Sequence, residues 1–138
     1  MEQLGLGPAL LRLAGRFSGD AQGQAAPRVT VRTAPAQLPR LPAAVELGAY
    51  RIASEALANA ARHAHARVCT IRLELDRTLG VLDVEVRDDG EGLPPHPFHG
   101  VGLASMRARA ADLGGECVIE SCAMGGTRVW ARLPVEEA

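Results

Sequence analysis

Glu55 and Asn59, four residues apart in the run RIASEALANAARHA at 51–64, interrupt a segment otherwise rich in alanine and leucine. On a helix that spacing places both side chains on one edge. Wound at about 100° per residue, the segment from Val45 carries one apolar stripe through Leu47, Tyr50, Leu57 and Ala61 and another through Val45, Ala49, Ile52, Ala56 and Ala60. A narrow polar strip of Gly48, Arg51, Glu55, Asn59 and Arg62 runs between them. Two stripes predict two packed sides, so the carboxylate and the amide should face a cleft.

Three further groups have chemistry to offer. In VLDVEVRD, Leu82, Val84 and Val86 share one face of a strand, and period two places Asp88 on that face at its end. A carboxylate facing a core needs a partner. The chain then turns through DDGEG at 88–92, where Gly90 and Gly92 allow a sharp turn or the close approach of a ligand. At 100–103, GVGL puts two glycines ahead of a helix, and free N–H groups at a helix start form an anion site suited to phosphates. It is neither a P-loop nor a dinucleotide-binding fingerprint. Finally GGT at 125–127 opens a strand in which Thr127 is in phase with Val129, Ala131 and Leu133. Its hydroxyl should therefore point inward and meet Asp88 along one polar ligand edge.

These groups need a scaffold. Helical spacing predicts helices over 4–17, striped by Leu6, Leu10, Leu13 and Phe17, over 43–64, and over 102–113, the last stopped by Gly114 and Gly115. Alternation and β-branched content predict strands at 28–33, 67–76, 81–88, 116–121 and 126–133. The links at 77–80 and 122–126 are short enough for antiparallel hairpins. The fold class is α+β, a two-layer sandwich with a mixed sheet packed on helices.

Composition sets the frame. A chain of 138 residues that is 47% hydrophobic holds one core. Its 15 basic and 16 acidic residues are scattered and leave a net charge of -1, so no nucleic-acid or membrane-surface footprint is present. Cys69, Cys117 and Cys122 form no C-x-x-C pair, and neither a leader nor a long apolar span occurs, which predicts a reducing, cytoplasmic setting with the thiols as small core residues. His63, His65, His96 and His99 lack a metal-binding spacing.

The ordered set E-x-x-x-N, D-x-G-x-G, G-x-G-L and G-G-T strongly resembles the ATP-binding domain of the GHKL superfamily of gyrase, MutL and histidine kinases, over roughly residues 28–134. YRIASEALANAARHA, VEVRDDGEGL and GVGLASMRARAADLGG are similar to the nitrate/nitrite-sensor type of histidine kinase. GLGPALLRLAGRF resembles the end of its dimerisation helix, so residues 1–27 are expected to be a helix remnant and linker ahead of a catalytic domain at 28–138. The resemblance implies the Bergerat-type ATPase fold, with ATP and Mg2+ bound. Glu55 would orient or deprotonate the attacking group, and Asn59 would ligate the magnesium that bridges the triphosphate. Asp88 would accept a hydrogen bond from the adenine amino group, supported by Thr127, with Gly90 and Gly92 shaping the pocket floor. Gly100, Val101, Gly102 and Leu103 would present N–H groups to the phosphates, and His63 and His65, close to the end of the first helix, are expected to interact with its C-terminal carbonyls or with the phosphates. The lid between the glycine motifs is short, with Phe98 inside it and no separate phenylalanine box.

The expected activity is transfer of the ATP γ-phosphoryl to a histidine on a dimerisation domain absent from this chain, followed by a NarL-type response regulator. None of the four histidines sits in a helical setting suited to a phospho-acceptor, so the fragment is expected to be a monomer that scarcely reacts alone, from a parent homodimer that could be membrane-anchored. A serine kinase of the anti-sigma type shares the fold, but the truncated first helix argues against it. An inert interaction module need not keep Glu55, Asn59, Asp88 and both glycine motifs together.

Overall fold

The computed structural model describes residues 5–18, 27–61, 66–90, 101–122 and 125–135. Along them run α1 (Leu6–Phe17), β1 (Arg28–Ala34), α2 (Ala43–Asn59), β2 (Val68–Asp76), β3 (Val81–Asp88), α3 (Val101–Asp112), β4 (Glu116–Ser121) and β5 (Thr127–Pro134). Cys69, Ile71 and Leu73 of β2 alternate with polar neighbours, as do Leu82 and Val84 of β3 and Val129, Ala131 and Leu133 of β5. Period two gathers them on one face of a single sheet, and the helices cover that face. The strands lie in the order β1-β2-β3-β5-β4, with β1 parallel to β2 and the other pairs antiparallel. The two expected hairpins form, and the mixed sheet on three helices is the predicted α+β architecture.

The open face is closed by charge. Arg128 and Arg72 flank the buried Glu85, while Arg132 grips Asp83 through two bonds of 2.8 and 3.0 Å. Trp130 lies beneath both arginines, with guanidinium carbons 5.8 and 5.4 Å from its ring centre.

α1 contributes Leu6, Leu10 and Leu13 to the common core. Its C-terminal end is tied down twice: Ser18 Oγ accepts the Val29 N–H at 2.9 Å, and Arg16 Nη2 donates to Tyr50 Oη at 2.7 Å. α2 departs from the expected pattern. The stripe through Val45, Ala49, Ile52, Ala56 and Ala60 is buried, but Leu47 is 42% exposed, Ala61 is exposed and Tyr50 is half-buried. The helix thus has one broad buried face, widened by Ala53 and Leu57, rather than two packed sides. Gly48, expected on the polar strip, is buried against α3, where a Cβ would lie 2.5 Å from Leu113 Cδ1. Its missing side chain lets the two helices approach. The regular helix ends at Asn59, with a wider turn at 60–61, and residues 62–64 of the expected 43–64 helix lie outside the described residues.

Glu46, 3% exposed in the first turns of α2, accepts the Leu41 N–H at 3.1 Å and two bonds from Arg40 at 3.1 and 3.2 Å. A carboxylate at a helix start also complements the dipole. Glu46→Ala should lower unfolding free energy by about 1–3 kcal/mol, the usual cost of leaving a buried donor unpaired. Urea unfolding checks this, the midpoint falling at unchanged slope.

Candidate active site

Chain direction places the sequence-predicted groups at one end of the sandwich. Register sets Cys69 at the start of β2 opposite Asp88 at the end of β3, and the ladder that pairs Arg87 with Arg128 brings the start of β5 alongside. α2 leads toward that end of β2. Gly48 near the start of α2 meets Leu113, just past the end of α3, so the two helices run in opposite senses. The start of α3 therefore comes to the end of α2 that carries Glu55 and Asn59, both half-buried.

Asp88 is the most tightly defined of these residues. Its Oδ1 accepts the Gly90 N–H at 2.8 Å and the Thr127 N–H at 3.3 Å. The first bond makes the DDG turn an Asx-type turn. The second brings Thr127 to Asp88 through its main-chain N–H, where the expectation named its hydroxyl, because the β3–β5 register carries that group to Asp88. Among the described residues both bonds fall on one oxygen, which leaves the other for a donor from outside. Burial raises the Asp88 carboxyl above its ordinary pKa, partly offset by these two N–H groups, while the neighbouring Asp89 charge raises it further. The same burial, with the Asp88 and Asp89 charges, pushes the Cys69 thiol up to about 12. Cys69 is thus a protonated core residue rather than a nucleophile. Cys117 and Cys122, also expected in the core, are only half-buried.

Two residues that the sequence reading did not single out complete the turn. Gly126 has φ +94°, and a Cβ there would sit 1.9 Å from the Asp88 carbonyl oxygen. Only glycine allows that approach. Asp89 Oδ1 accepts the Arg67 and Val68 N–H groups at 2.8 and 3.0 Å, and the Val68 N–H, foremost of the causes, holds its carboxyl below the ordinary range. The GGT motif signalled the first of these; nothing in DDG distinguishes the second.

α3 begins at Val101, so Gly102 lies in its first turn rather than ahead of the helix as expected. The first-turn N–H groups of Val101, Gly102 and Leu103 still lack intrahelical acceptors, and Leu103 anchors the turn by packing partly against the core. His63, Gly92 and Gly100 lie outside the described residues, as do His65, His96, His99 and Phe98. Among the described residues no three His, Cys, Asp or Glu side chains form a metal cluster, and no helix is long and apolar enough to cross a membrane.

A carboxylate with one oxygen open, main-chain donors at a helix start and an amide on the facing helix together suit a nucleotide. Comparison with known proteins agrees. Residues 44–137 match the family of histidine kinase-, DNA gyrase B- and HSP90-like ATPases. The chain is 40% identical over 87 residues to the signal transduction histidine-protein kinase/phosphatase UhpB of Salmonella typhimurium, covering 62% of this chain and 16% of that protein. It is 41% identical over 71 residues to the sensor histidine kinase LnrJ of Bacillus subtilis, covering 51% and 17%. The chain thus spans about a sixth of the length of these curated relatives. The blue-light activated histidine kinase EL346 of Erythrobacter litoralis superposes with a TM-score of 0.75 at 27% identity, covering 96% of this chain and 46% of that one. The ATP-binding domain of PrrB from Mycobacterium tuberculosis shares the fold, with a TM-score of 0.63 at 24% identity over 97% and 96% of the chains. The chain belongs to the histidine kinase-, DNA gyrase B- and HSP90-like ATPase family, as an ATP-binding catalytic domain of the sensor histidine kinase type.

Proposed function

We propose that this domain binds magnesium-ATP and passes the γ-phosphoryl to a histidine on a dimerisation domain outside the described fold. The observation that carries this reading is Asp88: its Oδ1 accepts the Gly90 and Thr127 N–H groups, which would leave its second oxygen for a donor such as the adenine amino group. The first turn of α3 supplies N–H donors for the phosphates. The Asn59 amide oxygen is a hard ligand of the kind magnesium takes, so Asn59 would be the residue that holds the metal, alongside phosphate oxygens and water. Bound there, the metal would neutralise charge that develops during phosphoryl transfer. Glu55, one turn earlier on α2, would orient the attacking imidazole or accept its proton.

The same reading extends to the parent protein. Residues 1–27 would be the end of its dimerisation helix and a linker, 28–138 its catalytic domain, and the whole a cytoplasmic-facing homodimer that serves a NarL-type response regulator. His63, Gly92 and Gly100 would complete the phosphate and adenine contacts.

Asp88→Asn tests the site. Its amide can turn an N–H toward the adenine amino group, so magnesium-ATP affinity should fall about 10- to 100-fold in calorimetry. Stability should move the other way. A carboxyl whose folded-state pKa is raised contributes stability fully present below its unfolded value near 3.8, and that contribution is lost as pH rises through the folded value. The charged carboxylate is the form that burial disfavours, so the asparagine variant should unfold at an equal or higher urea concentration. Unchanged ATP affinity in the folded variant would remove adenine recognition from Asp88.

A further inference from the structure

Asp89 lies beside the adenine-facing carboxylate, yet its own side chain is exposed and points to a different strand. It makes three bonds there. Its Oδ1 takes two consecutive main-chain donors, Arg67 at 2.8 Å and Val68 at 3.0 Å, and its own N–H donates to the Val68 carbonyl at 3.2 Å. That last bond extends the β2–β3 ladder one step beyond the Cys69–Asp88 pair. The Asp88 peptide is consequently held from both sides. On the β5 side, Gly126 lies against its carbonyl oxygen and the Thr127 N–H meets its Oδ1. On the β2 side, the next residue, Asp89, is strapped to Arg67 and Val68.

We propose that Asp89 is a positioning residue for adenine recognition: it ties the turn after β3 to the start of β2 and so aims the open oxygen of Asp88. The inference rests on the reading of Asp88 given above. Geometry favours this role over general support of the fold. The Asp89 side chain is exposed, so its truncation removes little apolar contact, while the two bonds that the side chain makes hold the residue next to the group that reads the base. A carboxylate is suited to the task because two N–H donors converge on one of its oxygens, and hydrogen bonds to a charged acceptor are the stronger kind.

Base discrimination separates the two roles, because a loss of fold affects all nucleotides alike. Inosine triphosphate carries a carbonyl where adenine carries its amino group, so the ratio of ATP to inosine triphosphate affinity reports the aim of Asp88. In the 138-residue chain, calorimetry with magnesium present should show that Asp89→Ala binds ATP about tenfold more weakly while its affinity for inosine triphosphate stays within about twofold, as expected for one misdirected hydrogen bond. Asp89→Asn keeps an acceptor oxygen without the charge, and its ratio should fall only about two- to threefold. If the alanine variant fails to fold, the asparagine ratio decides alone: a partial fall supports the role and an unchanged ratio overturns it. Equal loss for both nucleotides, or the parental ratio in folded Asp89→Ala, overturns the positioning role while leaving Asp88 as the reader of the base. An unaltered chain that binds both nucleotides equally overturns the adenine reading and this inference together.

Discussion

Glu55→Gln should leave magnesium-ATP affinity within a few-fold of the parent and slow phosphoryl transfer to a supplied dimerisation domain by about 10²–10⁴-fold, the usual worth of a general base. The asymmetry follows from placement. Glu55 and Asn59 share one edge of α2, four residues apart and both half-buried, but under the proposed function they would serve different partners. The amide would hold the metal, which neutralises charge in ground and transition states alike, so Asn59→Ala should weaken metal-dependent ATP affinity and transfer together. The carboxylate would act on the acceptor only when transfer begins. Single-turnover labelling with the same dimerisation domain checks both variants against calorimetric affinities. Parental transfer by Glu55→Gln, or parental magnesium dependence in Asn59→Ala, would reduce the shared edge to a structural feature.

Gly126→Ala should abolish measurable nucleotide binding, or the fold itself, although it adds a single methyl group. The new Cβ would fall 1.9 Å from the Asp88 carbonyl oxygen, against backbone that cannot swing away as a side-chain tip can. The position also has φ +94°, which costs a side-chain-bearing residue of order 1–3 kcal/mol before any clash. Relief requires β5 to move away from the end of β3, breaking the Thr127 to Asp88 bond. We expect ATP affinity to fall at least about 100-fold and the urea midpoint to drop, consistent with a loss of more than about 3 kcal/mol. Gly48→Ala is the natural control: its Cβ would meet only the terminal carbon of Leu113, which can rotate, and it should be far milder.

The contrast between those two glycines shows what a sequence discloses. Alternation in Cys69, Ile71 and Leu73, and in Leu82, Val84 and Val86, marks the buried sheet face because side chains repeat every second residue along a strand. Asp88 could be placed on that face for the same reason, and the short links revealed the hairpins. Nothing local reveals that β5 inserts between β3 and β4, or that β1 lies parallel to β2, since both depend on pairings between distant segments. The apolar stripe of α2 through Leu47, Tyr50 and Ala61 misled for a related reason: periodicity shows which residues share a face, not whether another element arrives to cover it, and Leu47 remains exposed. The strap made by Asp89 and the contact made by Thr127 were hidden because each depends on main-chain N–H groups, which every non-proline residue carries. Side-chain identity could not point to them.

Convergence of the site at one end of the sandwich also ties occupancy to folding. Its groups come from the end of α2, the end of β3 and the starts of α3 and β5, so no short stretch of chain carries the site by itself. A nucleotide that engages all four recognises only the assembled fold, and mass action then favours that fold by about 2.7 kcal/mol when free ligand is a hundredfold above its dissociation constant. Since unfolding of any one of those elements dismantles the site, this protection should extend to the amide hydrogens of the central strands, well beyond the groups that touch the ligand. The nucleotide acts in effect as a removable part of the core, and a domain emptied of it would be more open to proteolysis along its whole length.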